Sequence, residues 1–266
     1  MLKKLLSAAL LIALAGFVAG CNSSPTSSSG EGTFQIDLID SPGSFDAVNI
    51  VIDSVQAHVA LQDSTSKWVT LNNTPGTYDL LQLVNGVNAV VGKSPVPAGR
   101  YSQIRLFIGN GSNVVVGTNA YPITIPSGMQ SGLKLNVDAT IQSHMTYVLT
   151  LDFNVNQSII TLGNLAAGNY ILDPVIRVIT TASNGAISGT VLPATARASI
   201  TAFGSSDTVS TVADTSGNFV VGYLSAGTYT LQVVPYDTTF NDTTISNEKV
   251  SVGATTKIGT ITLSSK

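Results

Sequence analysis

The sequence predicts an all-β protein: two antiparallel β-sandwich-like domains in tandem, with at most one short helix near residues 80–91. Three observations carry that prediction. Apolar side chains recur at every second position over most of the chain, as half-buried strands require. Gly, Pro, Asn and Asp punctuate the runs where turns need an unusual or fixed φ. A polar stretch, Thr181-Ala182-Ser183-Asn184-Gly185, separates a longer part from a shorter one, at roughly 150 and 80 residues both ordinary domain sizes.

The chain opens differently. Lys3 and Lys4 precede an apolar stretch, Leu5 to Phe17, and small residues follow up to Cys21. That order is a signal peptide's, and the apolar stretch is shorter than the ~20 residues a membrane-spanning helix needs. Val18-Ala19-Gly20-Cys21 resembles the bacterial lipobox, which implies cleavage after residue 20 and lipidation of Cys21. The expectation is a signal peptide over 1–20 and a membrane partner reached through acyl chains on Cys21, several chains being needed for stable anchoring. Asn22 is not the aspartate that, by resemblance, retains lipoproteins in the inner membrane. An outer-membrane location is therefore expected in a host with two membranes. Residues 21–32 are Ser- and Gly-rich and carry no large apolar side chain, the composition of a tether reaching roughly 20 Å.

Charge excludes one class of partner. The chain has 12 Lys+Arg against 15 Asp+Glu, and losing Lys3 and Lys4 with the signal peptide takes the formal charge from −3 to −5. Such a surface repels nucleic acid, so none is expected as a partner. Cys21 is the single cysteine. Once lipidated, it leaves no thiol for a disulfide, for thiol catalysis or for zinc.

The first domain is expected over 33–181. Phe34, Ile36 and Leu38 alternate with polar residues, as do Val48, Ile50 and Ile52. After Ile52 the apolar parity flips to Val55, Ala57, Val59 and Leu61, which predicts a β-bulge at Asp53-Ser54 rather than a turn, since no Gly or Pro intervenes. Leu80, Leu83, Val84, Val87 and Val91 fit one helical face, weakened by Gly86 and the valines. Alternation resumes through Tyr101 to Ile108, Leu133 to Val137 and Tyr147 to Phe153, and a long apolar strand runs from Ile171 to Thr180. The second domain is expected over 185–266, opening with a strand from Ala186 to Leu192.

Two stretches resemble known families. Asp40-Ser41-Pro42, Asp46-Ala47-Val48, Tyr78-Asp79-Leu80-Leu81-Gln82-Leu83, the run Pro97 to Leu106, Ile125 to Gly128, Leu151-Asp152-Phe153 and the run Tyr170 to Arg177 occur in the order found in the bacterial domain of unknown function 4382. That resemblance implies no activity. Ile187-Ser188-Gly189-Thr190-Val191, Ala198 to Ala202, Asp214, Gly217 and Phe219, and Leu224 to Leu231 resemble a carboxypeptidase regulatory-like domain. This implies a small transthyretin-like or prealbumin-like sandwich, within a carbohydrate-binding-like fold group whose shared fold is not evidence of a sugar site. Some related modules carry a lysine isopeptide crosslink, but residues 185–196 contain no lysine, so none is expected.

One motif spans both parts: Ala98-Gly99-Arg100-Tyr101, Ala167-Gly168-Asn169-Tyr170 and Ala226-Gly227-Thr228-Tyr229, with Pro75-Gly76-Thr77-Tyr78 as a near variant. A glycine turn feeding a strand, with the tyrosine ring at the core edge and its hydroxyl near solvent, is the expected structure. A row of aromatic sugar platforms is the competing reading.

Catalytic residues are sparse. His58 lies opposite in phase to the apolar residues around it and His144 is expected in a hairpin loop; neither stands near metal-ligating residues in sequence. No Gly-x-Ser-x-Gly elbow appears. Asp40 is expected to cap the Ser41-Pro42-Gly43 turn and Asp37 to face water. Asp152-Phe153-Asn154-Val155-Asn156 begins like a calcium loop but has Gln157 where the glycine should follow. Arg105 and Lys134 interrupt apolar runs as solvated positions or partners of an acid. No catalytic, metal or cofactor residue is assigned. The function expected is a lipid-anchored cell-envelope protein with a non-enzymatic binding or structural role, its partner an envelope protein or glycan. The alternative is a carbohydrate-binding lipoprotein of a polysaccharide-handling system, followed by a hydrolase of unrecognised type.

Overall fold

Period-two alternation folds into two β-sandwiches with separate cores. The computed structural model describes residues 30–41, 43–60, 66–126, 131–163, 168–180, 184–205 and 207–266. The signal peptide, Cys21, most of the tether and residues 181–183 of the expected boundary lie outside them.

The first sandwich runs β1 (Glu31–Ser41), β2 (Ala47–Ala60), β3 (Ser66–Asn72), β4 (Gly76–Asp79), β5 (Ala89–Pro97), β6 (Gly99–Ile108) and β7 (Asn113–Val116). It continues β8 (Asn119–Thr124), β9 (Leu133–Ile141), β10 (Thr146–Asn154), β11 (Ile159–Thr161), β12 (Tyr170–Leu172) and β13 (Ile176–Thr180). One sheet has the order β13-β10-β1-β5; the other has β11-β12-β8-β7-β2-β6-β9, with β3 and β4 also on β2. Phe34, Ile36 and Leu38 of the first sheet meet Val55, Ala57, Val59, Ile104 and Leu106 of the second in one core.

The second sandwich has β14 (Asn184–Leu192), β15 (Ser199–Phe203), β16 (Thr208–Val212), β17 (Asn218–Ser225), β18 (Gly227–Val234), β19 (Thr243–Val250) and β20 (Thr255–Thr262). Its sheets are β17-β14-β20 and β16-β15-β18-β19, closed over Ile187, Ile200, Phe219, Val221, Leu231 and Val233. Pairing is mostly antiparallel, but β1 with β10, β12 with β8 and β14 with β20 are parallel.

The bulge lies where the parity flip places it. β2 is one continuous strand, and its register against β6 shifts between Ile52 and Ser54, so Val55, Ala57 and Val59 stay fully buried. The helix expected near 80–91 is smaller than its apolar spacing suggests. Leu80–Gln82 makes one 3-10 turn, opened by the Asp79 carboxylate accepting from the Leu81 N–H at 3.3 Å. Asn85 and Gly86 then adopt positive φ, 58° and 84°, and Val90 and Val91 join β5. The helical turn α1 (Val155–Ser158) lies elsewhere, on the Asn154 cap. β1 begins at Glu31, two residues before the expected domain start. A Cβ at Gly32 would sit 2.3 Å from the Gln142 carbonyl oxygen, so close strand packing explains that glycine.

Candidate functional site: the seam and cleft between the domains

In the sheet β13-β10-β1-β5, alternation sends Asp37, Ile39, Thr150 and Asp152 away from the first core. All four are nevertheless buried, at no more than 6% exposure. The second sandwich covers them.

Charge and hydrogen bonds form the seam. The Arg177 guanidinium, on β13, meets the Asp152 carboxylate through Nη2 at 2.8 Å and Nε at 3.1 Å. On its other side Nη1 lies 3.6 Å from the Asp207 carboxylate and donates to the Tyr223 carbonyl at 3.5 Å. One cation thus serves an acid from each domain, which a buried carboxylate needs. Burial pushes the Asp207 carboxyl up, but the Tyr229 hydroxyl, Ser225 and Arg177 together hold it below its ordinary value. Burial raises the Tyr223 phenol, helped by the Asp37 and Asp152 carboxylates.

Asn85 makes a second clasp. Its backbone N–H donates to Thr211 Oγ1 at 3.1 Å, its Nδ2 reaches the Asn218 carbonyl at 3.4 Å, and its Oδ1 accepts from the Val220 N–H. β17 is an edge strand of its sheet. An open edge carries unpaired amides, and Asn85 of the first domain closes one of them.

Beside the seam the domains leave a cleft of about 610 Å³. Phe45, Leu81, Val84 and Val87 line it from the first domain, and Arg197, Val212, Asp214 and Tyr236 from the second. Val87 and Tyr236 are more than half exposed there. The neighbouring acids are already engaged: Asp46 accepts from the Gly117 N–H at 2.7 Å, and Asp214 from the Ser216 and Asn218 N–H groups at 2.8 Å. Arg197 has no ion pair among the described residues.

Several sequence expectations need correcting. Asp37 does not face water: it is 6% exposed and accepts from Gln35 at 2.8 Å and Asn88 at 2.6 Å. Asp40 does not merely cap its own turn. Its Oδ1 accepts from the Val155 N–H at 3.1 Å and so supports α1, far along the chain. Burial raises its pKa to about 9, with the Asp152 and Asp79 carboxylates adding to the rise and the Val155 and Ser41 amides opposing it. The stretch from Asp152 to Asn156, read as departing from a calcium loop, has its oxygens spread among separate partners: Asp152 binds Arg177, Asn154 caps α1, and Asn156 accepts from the Ser44 N–H. His144 stands in a corner between β9 and β10, which belong to different sheets, rather than in a hairpin.

The tyrosine hydroxyls do not reach solvent. Tyr101, Tyr170 and Tyr229 are at most 2% exposed. Tyr101 donates to the Pro97 carbonyl at 2.8 Å, and the Tyr229 hydroxyl lies 2.9 Å from the Ser225 carbonyl, in each case four residues back. This is a tyrosine corner, placed in both domains where the chain crosses between sheets. Buried rings of this kind cannot serve as sugar platforms.

His58 is half-buried on the outer face of the larger sheet. Its Nδ1 lies 3.2 Å from Ser102 Oγ and its ring 5.0 Å from that of Trp68. A serine and a histidine are in contact, but no carboxylate among the described residues orients the imidazole, as a triad would require. Among the described residues no three His, Cys, Asp or Glu gather as a metal site. No described helix is long and apolar enough to cross a membrane.

Comparison with known proteins assigns a family. Residues 31–174 match the model described as "Domain of unknown function (DUF4382)", and the chain belongs to that family. No curated protein matches it. Similar solved structures include a type II cohesin–X-dockerin complex from Acetivibrio cellulolyticus, at 26% identity over 30% of this chain and 58% of that one, with a TM-score of 0.24. The chain thus spans 58% of that relative's length. The Bacillus anthracis TIE protein is 13% identical over 89% of this chain and 34% of its own, with a TM-score of 0.26. GBS52, the minor pilin of Streptococcus agalactiae, is 10% identical over 88% and 96%, with a TM-score of 0.25.

Proposed function

We propose that this DUF4382 protein is a lipid-anchored, non-enzymatic binding protein of the cell envelope, and that the interdomain cleft holds its partner. One observation carries the reading. Two domains joined by a polar seam leave beside it a cleft of about 610 Å³, with Tyr236 and Val87 exposed on opposite walls. Concave, mixed apolar and polar sites of this size are where ligands and peptide segments bind. The lipobox-like Val18-Ala19-Gly20-Cys21 supports the anchor, and the polar tether after it would hold the cleft clear of the membrane. The partner class is an envelope protein presenting an extended segment. The hydrolase alternative has one contact in its favour, His58 with Ser102, on an open sheet face outside any cleft.

A photo-crosslinking residue at position 87 or 236, in cells, tests the cleft. Both positions are expected to yield the same adduct and Lys257, on β20, none. No adduct from either, or equal labelling from Lys257, overturns the cleft reading. Cys21→Ser tests the anchor separately: the variant is expected to leave the membrane fraction, and persistence there contradicts lipidation.

A further inference from the structure

The outer face of the larger sheet runs across β3, β2, β6 and β9. Its cross-strand rows run Trp68–His58–Gln103–Asn136 and Thr70–Gln56–Arg105–Lys134. Gln103 Nε2 donates to Asn136 Oδ1 at 3.1 Å, so a side-chain amide pair lies on the surface. Beside it Arg105 and Lys134 stand directly opposite each other. Like charges in that register repel, and neither has an acidic partner among the described residues. Asp138, the nearest acid along β9, is taken by Arg100 at 2.9 Å.

The Arg105 head group is held in place. Its guanidinium carbon lies 3.9 Å from the Trp68 ring centroid and 5.9 Å from that of Phe107. A Cβ at Gly132 would meet its Cγ and Cδ at 2.5 and 2.7 Å, so that glycine leaves the space through which the stem runs. Stacking on an aromatic face fixes the guanidinium plane; Nε is buried without a hydrogen-bond partner, which leaves the two terminal nitrogens to meet an anion. An uncompensated cation pair with one member pre-set, on a chain of net charge −3, calls for an anion from outside.

We propose that this face binds an acidic polysaccharide. The carboxylate of one sugar unit pairs with Arg105 and Lys134, and the hydroxyls of a neighbouring unit bond to Gln103 and Asn136. The side-chain amides and hydroxyls beside the cations favour a polyhydroxylated ligand over a simple anion. With two free cations, the face has too few contacts for the multi-phosphate engagement that nucleic acid needs. The proposal stands apart from the cleft, since no residue is shared.

The test uses the full chain carrying Cys21→Ser, titrated with polygalacturonate, its fully methyl-esterified form, polyglutamate, and phosphatidylglycerol vesicles. Binding to polygalacturonate is expected, weakening as salt rises, and at least tenfold weaker for the ester and for polyglutamate. Lys134→Gln and Arg105→Gln are each expected to weaken it at least tenfold, and Asp138→Asn to leave it within twofold. Lys134 is exposed, so its variant keeps the test valid should Arg105→Gln disturb folding. No binding to polygalacturonate, equal binding to the ester or to polyglutamate, tighter binding to the vesicles, or indifference to Lys134→Gln would overturn the proposal. Cleft crosslinks that persist in Lys134→Gln would separate failure here from failure of the cleft reading.

Discussion

Two ion pairs of nearly equal length sit on opposite faces of the first sandwich. Arg177 meets Asp152 at 2.8 Å, and Arg100 meets Asp138 at 2.9 Å. The side chains of the first pair are 32% and 7% exposed, those of the second 70% and 72%. The difference is what covers each sheet. The smaller sheet turns its outer face to the second domain and fills it with acids that one arginine must neutralise. The larger sheet leaves its outer face open, with cations in excess. Nearly equal contact distances therefore have opposite consequences: removing a partner strands a buried charge on one face and frees a solvated one on the other.

Breaking the covered pair should have the largest effect. Arg177→Met leaves Asp152 and Asp207 without their shared cation, and a loss of about 2–4 kcal/mol is expected. Calorimetry should then resolve two transitions where the parent has one, as the second domain loses its dock. If the variant melts as the parent does, the seam does not join the domains.

The next effect is set by pH. The Asp40 carboxyl titrates at about 9 in the fold, against a usual 3.8. Between those values the folded chain holds a proton that the unfolded chain has released. Folding stability should therefore fall as pH rises from about 4 to about 9. Asp40→Asn removes the titrating proton, and should flatten that fall and gain at least about 1 kcal/mol at pH 8. A variant with the parent's pH slope would show that Asp40 is ionised in the fold.

The two tyrosine corners sharpen the comparison further. Tyr101→Phe should cost about 1 kcal/mol for one lost hydrogen bond. Tyr229→Phe should cost more, because its hydroxyl also supports Asp207 in the seam. Urea melts of both variants check the order; equal losses would mean that the seam gains nothing from Tyr229. Smallest of all is Asp138→Asn on the open face, expected within about 0.5 kcal/mol of the parent.

Much of this was legible in the chain. The alternation gave the two sandwiches, and the parity flip after Ile52 gave the bulge. The seam was not, because alternation says which residues leave one core and nothing of what covers them afterwards. Asp37 therefore reads as water-facing, and nothing marks Asp152 as a seam residue. One signal was present: Ile39, apolar in a position that parity assigns to solvent, directly after Leu38. The tyrosine motifs were correctly placed at strand starts, but the direction of their hydroxyls depends on a carbonyl across a sheet-crossing corner. Trp68 and Arg105 lie on strands nearly forty residues apart in sequence, and only the register of β2 between β3 and β6 makes them neighbours.

The most direct test of a docked second domain is hydrogen exchange at the Val220 amide. Val220 lies on the edge strand β17, and its N–H is donated to Asn85 Oδ1 across the seam. It should be protected in the parent, and Asn85→Ala should accelerate its exchange at least tenfold while the Val221 amide, in the same strand, stays as it was. A Val220 amide that exchanges as fast in the parent as in Asn85→Ala would contradict the docked arrangement.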